Sequence, residues 1–368
     1  MSNRRVKFNN KQVADFVPEV RARVNAWFDE TGKSKHADWR MVLKTIIILG
    51  GSVLTYALLL SGWFTPLQML FLCILLGIGI AGIGFSVAHD ALHGAYSSND
   101  TVNRLLGYTF DLLGANGYMW KITHNVIHHT YTNIQGIDED LTVSPILRLS
   151  PEAPLKWYHR FQTWYCFPAY SMATLNWLFV KDFQQFTKKN IGPYTDKKHP
   201  AKEWATLLIG KVVAITIVVA PLFVLDITWW QYLIGLLATH LTAGVILGVI
   251  FQLAHVVEGP EFPEPDEHGN MEYNWLIHEM HTTANFAADN RLLSWYIGGL
   301  NYQIEHHLFP QICSIHYPVI GRIVRETAHE YGVPYHYNPT LTAAIRSHQR
   351  MLRKFGRETH PDQTEAWA

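Results

Sequence analysis

Histidine makes up 20 of the 368 residues, and seven copies fall in three short runs. His89 and His93 form HDALH, His124, His128 and His129 form HNVIHH, and His306 and His307 close QIEHH, whose Gln303 shares their helix face. A separation of four aims both imidazoles of HDALH from one face of a helix, as it does for His124 and His128. His129 is rotated by about a quarter turn from His128, which lets this run reach two neighbouring metals. Seven buried imidazoles would be costly unless something satisfied and fixed them, and a metal does both. Imidazole suits iron, copper, zinc and nickel, and eight or more such ligands exceed what a four-coordinate zinc uses, so the clusters predict two metals. HEMHTTANF adds His278 and His281, three apart, as further ligands or supports. Asp90, Asn125 and Glu305 sit beside the clusters and could hold imidazole N–H groups. The run Asp138, Glu139, Asp140 reads as solvated surface, with partner docking as the alternative. The isolated His36, His199 and His360 read as ordinary structural residues.

Four long apolar stretches have the roughly 20 residues needed to cross a bilayer, at about 43 to 62, 67 to 88, 205 to 225 and 229 to 253. The connectors Gly62 to Pro66 and Asp226 to Thr228 are short and lack Lys and Arg, so each pair of stretches reads as a hairpin. Residues 1–40, 89–204 and 254–368 hold almost all the basic residues, which places them in the cytoplasm by the positive-inside rule. His89 follows the second stretch directly and His255 follows the fourth. Ligands and topology therefore converge on the cytoplasmic membrane boundary. There, a redox-active metal facing acyl chains would have a use for O2, which favours two iron ions (Fe2+/Fe3+); the residues leave copper and zinc open. The segments 103 to 120 and 161 to 180 are apolar but carry Asp111, Asn116 and Pro168, and read as interfacial or buried. Val13, Phe16, Val17, Val20, Val24 and Trp27, spaced by three and four over residues 7 to 30, predict an amphipathic helix on protein or membrane.

The fold expected is thus all-α and integral to the membrane: four transmembrane helices in two hairpins, with a cytosolic helical cap holding a di-metal site, in one domain over 1–368. With 30 basic and 30 acidic side chains, net charge offers nothing to nucleic acid. Cys73, Cys166 and Cys313 are too few and too scattered for a disulfide framework or an iron–sulfur cluster. Gly77, Gly79 and Gly82 match GxGxxG inside an apolar span, where helix–helix approach explains them better than a dinucleotide. Glu326 and His329 give one lone ExxH, short of a carboxylate-bundle di-iron site. The first 40 residues show no secretory signal.

HDALH, HNVIHH and NYQIEHHLFP, in this order, resemble the three histidine boxes of the membrane fatty acid desaturases, and NRLLSWYIGGLNYQIEHHLFP is especially similar. The resemblance covers about residues 7 to 350. It implies metal ligation by His89, His93, His124, His128, His129, His306 and His307, with His255 as an additional ligand. It also implies O2 as co-substrate, a fatty acyl substrate (acyl-CoA or acyl-lipid) and membrane lipid around the chain. Gln303, where most members have His, is similar to the front-end subgroup, which acts on polyunsaturated chains; an amide there suits a supporting role. No HPGG haem-binding run is present, so electrons are expected from a separate ferredoxin or cytochrome b5 type donor with its reductase. The same feature, with the lack of a retrieval signal, favours a bacterial inner membrane over endoplasmic reticulum. A lipid hydroxylase on the same di-iron scaffold, a bis-histidine haem protein passing electrons through the membrane, and a divalent-metal transporter are the rival readings.

Overall fold

Thr65 and Thr228 start two long apolar helices with the same device. Each threonine oxygen accepts from the backbone of a glutamine three residues on, Gln68 or Gln231, and that glutamine's side chain accepts in return from the threonine N–H. Asp38 caps a third, accepting from the backbone of Arg40 and Met41. The computed structural model describes residues 6–9, 15–141 and 145–358. It is mostly helical, and three helices are long and apolar enough to cross a membrane: Trp39–Leu60, Pro66–Leu92 and Trp229–His255. Their outward faces expose Val42, Ile46, Val53, Leu54, Phe71 and Leu75, as lipid-facing surfaces do.

The stretch expected at 205 to 225 forms the helix Ala201–Val219, continued after Ala220 by the single turn Pro221–Val224. Lys202, Glu203 and Lys211 set it apart in composition from the other three. Lys211 is buried and donates to Asp182 (2.6 Å) and to the carbonyls of Gly114 (2.7 Å) and Trp177 (2.6 Å). The segments 103 to 120 and 161 to 180 fold into short pieces, the longest being Asp100–Leu112 and Gln162–Ser171, and neither reaches spanning length.

Close approach between spans depends on small residues. A Cβ on Gly77 would lie 2.5 Å from the Thr239 carbonyl oxygen, and one on Gly79 would lie 2.3 Å from Ser52 Oγ. The GxGxxG match is therefore packing, as its place in the chain suggested. The amphipathic helix begins at Phe16 and ends at Thr31; Val13 lies outside the described residues. Phe16, Val20 and Val24, joined by Phe28, pack against Ile320, Val324 and Ala328 of the helix Tyr317–Tyr331, so the stripe covers protein. The strands Ala284–Phe286 and His336–Asn338 pair in parallel and tie the third box to the tail of the fold.

Candidate metal centre

The second span changes its winding one turn before the first box: Gly84–Ala88 is a π-helix leading into His89. Lys121–His128 is also π-helical, and the His129 N–H reaches back to the His124 carbonyl at 3.1 Å. Such wide turns are uncommon and concentrate at functional sites. The last span ends on His255, and the six-residue helix Gln303–Leu308 carries the third box.

These elements bring histidines from all parts of the chain together. Ring nitrogens of His89, His93, His124 and His306 lie within 4.8 Å of one another, and those of His128, His255 and His307 form a second such set. His129 stands between them, its ring centroid 4.8 Å from His93, 4.9 Å from His124, 4.5 Å from His306 and 4.3 Å from His307. Two pairs expected to point together divide instead. His124 and His128, stacked at 5.0 Å, serve different sets, and so do the adjacent His306 and His307.

Nitrogens facing into the cluster are buried without partners: Nε2 of His93, His124, His128, His255, His306 and His307, and both ring nitrogens of His129. Five of the opposite nitrogens are held. His124 Nδ1 meets Asp140 at 3.2 Å, His128 Nδ1 meets Asp138 at 3.0 Å, and His307 Nδ1 meets Glu279 at 2.7 Å. His306 Nδ1 meets the Tyr317 hydroxyl at 3.2 Å, and His255 Nδ1 the Thr282 carbonyl at 3.3 Å. An imidazole fixed through Nδ1 presents the Nε2 lone pair, the form that ligates a metal. Histidine clusters with this donor set suit a di-iron site. His128, Asp138 and Asp140 could be counted as a third metal set by proximity alone. Their hydrogen bonds occupy the ring nitrogens turned away from the cluster, so these carboxylates back the imidazoles.

Burial, reinforced by the neighbouring rings, pushes His93, His124, His129, His306 and His307 well below the usual histidine range, so they are neutral with lone pairs free. Burial pushes His128 the same way, but the charge and hydrogen bond of Asp138 more than offset it and the net shift is upward. Burial also drives the Glu279 carboxyl well above its ordinary range. Glu279 and His307 thus form a neutral pair, which a cation in the cluster would polarise.

Other expected residues lie elsewhere. Gln303 is buried at the start of its helix, one turn ahead of His306 and His307. His278 bonds the Thr132 carbonyl at 2.9 Å and packs against Phe8, and His281 pairs with Glu261 at 2.9 Å and stacks on Tyr273, so neither joins either set. Asp90 accepts from Ser314 N (3.0 Å), Ser314 Oγ (2.9 Å) and Cys313 Sγ (3.3 Å), tying the first box to the chain beyond the third. Asn125 donates to the Leu92 carbonyl, and Glu305 accepts from Asn285 and Tyr335, so neither holds an imidazole. The acidic run corrects the surface reading: Asp138 and Asp140 are buried because the imidazoles need them, and Glu139 accepts from Lys188 at 2.8 Å.

The fatty acid desaturase family model matches residues 65–339 of this chain. The chain belongs to the fatty acid desaturase family. Among its relatives, an sn-1 linoleoyl-lipid 6-desaturase of Synechocystis sp. is 38% identical over 96% of this chain and 98% of its own. A protein of the same name in Arthrospira platensis is 37% identical over 92% of each. An acyl-lipid (8-3)-desaturase of Physcomitrium patens is 33% identical over 95% of this chain and 74% of its own. The protein is therefore a desaturase of fatty acyl chains in lipid metabolism, with membrane helices.

Sequence reasoning missed four supports in this desaturase: Asp138, Asp140, Glu279 and Tyr317. Glu279 lies between His278 and His281, the two histidines that drew attention in its place. Trp120 was also missed; it stacks on His124 at 4.3 Å and meets His89 and His93 edge-on, each at 5.4 Å. A cavity of about 560 Å³ lies among the spans, lined by residues such as Leu70, Ile80, Ile217 and Leu236, with Leu112 and Leu178 at its wall. It holds none of the clustered histidines. The ring series Trp177–Phe110 (5.5 Å), Phe110–Trp120 (5.6 Å) and Trp120–His124 lies between that wall and the cluster.

Proposed function

We propose that this desaturase uses O2 to insert a double bond into an already unsaturated acyl chain carried on a membrane lipid, on the carboxyl side of the existing bonds. The names of the Synechocystis and Arthrospira relatives, both linoleoyl-lipid 6-desaturases, support the substrate class, and Gln303 supports the front-end position. The observation that carries the reading is the inward set of buried, partnerless imidazole nitrogens. His89, His93, His124 and His306 would hold one iron and His128, His255 and His307 the other, with His129 between. Bound there, the iron pair supplies the oxidant that an unactivated C–H bond requires and that no side chain provides. In total the acyl chain loses two hydrogens, one O2, two electrons and two protons are consumed, and two waters leave.

The protein's own part is orientation and exclusion of water. Asp138, Asp140, Glu279, Tyr317 and the Thr282 carbonyl fix the imidazoles. The cavity, of a size usual for ligand sites, would take part of the acyl chain, with Leu112, Leu178 and the rings behind them separating it from the metals. Helix Ala201–Val219 with its following turn completes four spans in two hairpins, and one domain places the metals at the cytoplasmic boundary of, in our reading, a bacterial inner membrane. Expression in a host fed linoleate, followed by mass spectrometry of its lipids, tests this. Loss of two hydrogens at a new carboxyl-side position is expected; gain of one oxygen would mark a hydroxylase, and unchanged chains would overturn the proposal.

A further inference from the structure

The stretch from Lys181 to Glu203 holds six lysines, Lys181, Lys188, Lys189, Lys197, Lys198 and Lys202, against Asp182, Asp196 and Glu203. Asp182 is consumed by Lys211. Lys188, Lys189, Lys198 and Lys202 are exposed. This lobe packs directly on the second-box helix: Phe186, Ile191 and Leu207 bury against Met119, Ile122 and Ile127. Its charges also connect inward. Lys181 Nζ lies 3.5 Å from Asp140 Oδ1, whose other oxygen meets His124 Nδ1 at 3.2 Å. Glu139 anchors the lobe from below through Lys188 (2.8 Å), Gln185 (3.1 Å) and the Gly192 N–H (3.4 Å). Its neighbours Asp138 and Asp140 hold one imidazole of each metal set.

We propose that this lysine lobe is the docking surface for an acidic one-electron carrier protein. The inference rests on the desaturase reading, whose chemistry needs two electrons from outside. A basic face steers an acidic partner and raises its encounter rate. A surface of opposite sign, the loop from Glu258 to Glu272, carries six acids and would repel the same partner. Anionic lipid headgroups are the rival occupant, since Lys202 stands at the start of an apolar helix. Lys181 and Lys188, however, turn to acids beneath the lobe.

The test uses the full chain in neutral phosphatidylcholine nanodiscs, with reduced plant-type ferredoxin as an acidic probe. The variant Lys189→Glu/Lys198→Glu/Lys202→Glu is expected to slow ferredoxin oxidation roughly tenfold or more at low ionic strength, converging on the parent at high salt. The control Arg322→Glu/Arg325→Glu, on the exposed face of Tyr317–Tyr331, should leave the rate unchanged. Turnover driven by photoreduced deazariboflavin should be unchanged in the triple variant. Equal rates with ferredoxin at every ionic strength would overturn the docking surface, as would a loss that appears only when anionic lipid is added. If the triple variant loses both activities, Lys198→Glu alone decides by the same salt dependence. Failure of the unmodified protein with both reductants would instead count against the desaturase reading.

Discussion

Replacing Glu279 should separate the two metal sets. Its Oε2 accepts from His307 Nδ1 at 2.7 Å and from Thr132 Oγ1 at 2.8 Å, and both carboxylate and imidazole are fully buried. Glu279→Leu leaves His307 with only the longer contact to Thr132 Oγ1 at 3.3 Å. Loss of a hydrogen bond behind a ligating imidazole typically costs 10–100-fold in metal affinity, or about 1.4 to 2.8 kcal/mol. Glu279→Gln keeps an oxygen acceptor for His307 Nδ1 in a side chain that is likewise neutral, so it should lose less than tenfold. Because Glu279 backs only the set of His128, His255 and His307, one iron should leave and the other stay. Iron per chain, measured by elemental analysis along a chelator titration, should fall from two to a plateau at one in the leucine variant. Thermal unfolding in the same detergent checks that the fold survives. A parental chelator midpoint in Glu279→Leu, or simultaneous loss of both irons, would refute the reasoning.

Three further outcomes follow from the packing. Gly77→Ala should lower the unfolding temperature, since its Cβ would meet the Thr239 carbonyl at 2.5 Å and overpacking costs about 1–3 kcal/mol; Gly51→Ala, with open space around it, should not. Lys211→Met strands the buried Asp182 and should destabilise by about 3–5 kcal/mol, with Lys211→Met/Asp182→Leu recovering part of the loss on a denaturation curve. Burial pushes the Asp111 carboxyl up to about 7 from its ordinary 3.8. Between those pH values the unfolded chain is ionised there while the folded one keeps its proton, so this group lowers stability as pH rises and adds nothing further above about 7, a slope of at most about 1.4 kcal/mol per pH unit. Asp111→Asn should flatten the pH dependence of unfolding between pH 5 and 7; an identical slope would contradict the burial argument.

The histidine cluster was legible because imidazoles repeat at helical spacing and because His89 and His255 each end an apolar stretch. Hydropathy reports where a chain can enter lipid, and the same pattern placed three of the spans. It was less informative at Ala201–Val219, where Lys211 is neutralised by Asp182, a partner distant in sequence. The residues behind the ligands were hidden for a related reason. Asp138, Asp140 and Glu279 carry the sequence signature of exposed acids, and only the fold shows that each faces an imidazole N–H. His278 and His281 show the opposite case: their spacing allowed ligation or support, and the helix Trp275–Thr282 turns Glu279 to the cluster between them. A π-helical winding, which divides His124 from His128, leaves no mark in a motif read at α-helical spacing.

Eight imidazoles from distant parts of one chain meet in one buried cluster, and in the proposed function they would hold two irons. The most direct measurement is iron stoichiometry on the purified protein, parent against His129→Ala, together with the Mössbauer spectrum of an iron-57 preparation. Two irons per chain are expected in the parent, and weaker binding of both in the variant, because the His129 ring stands against members of each set. Fewer than one iron per chain, or two irons whose number and spectrum are indifferent to His129, would contradict this.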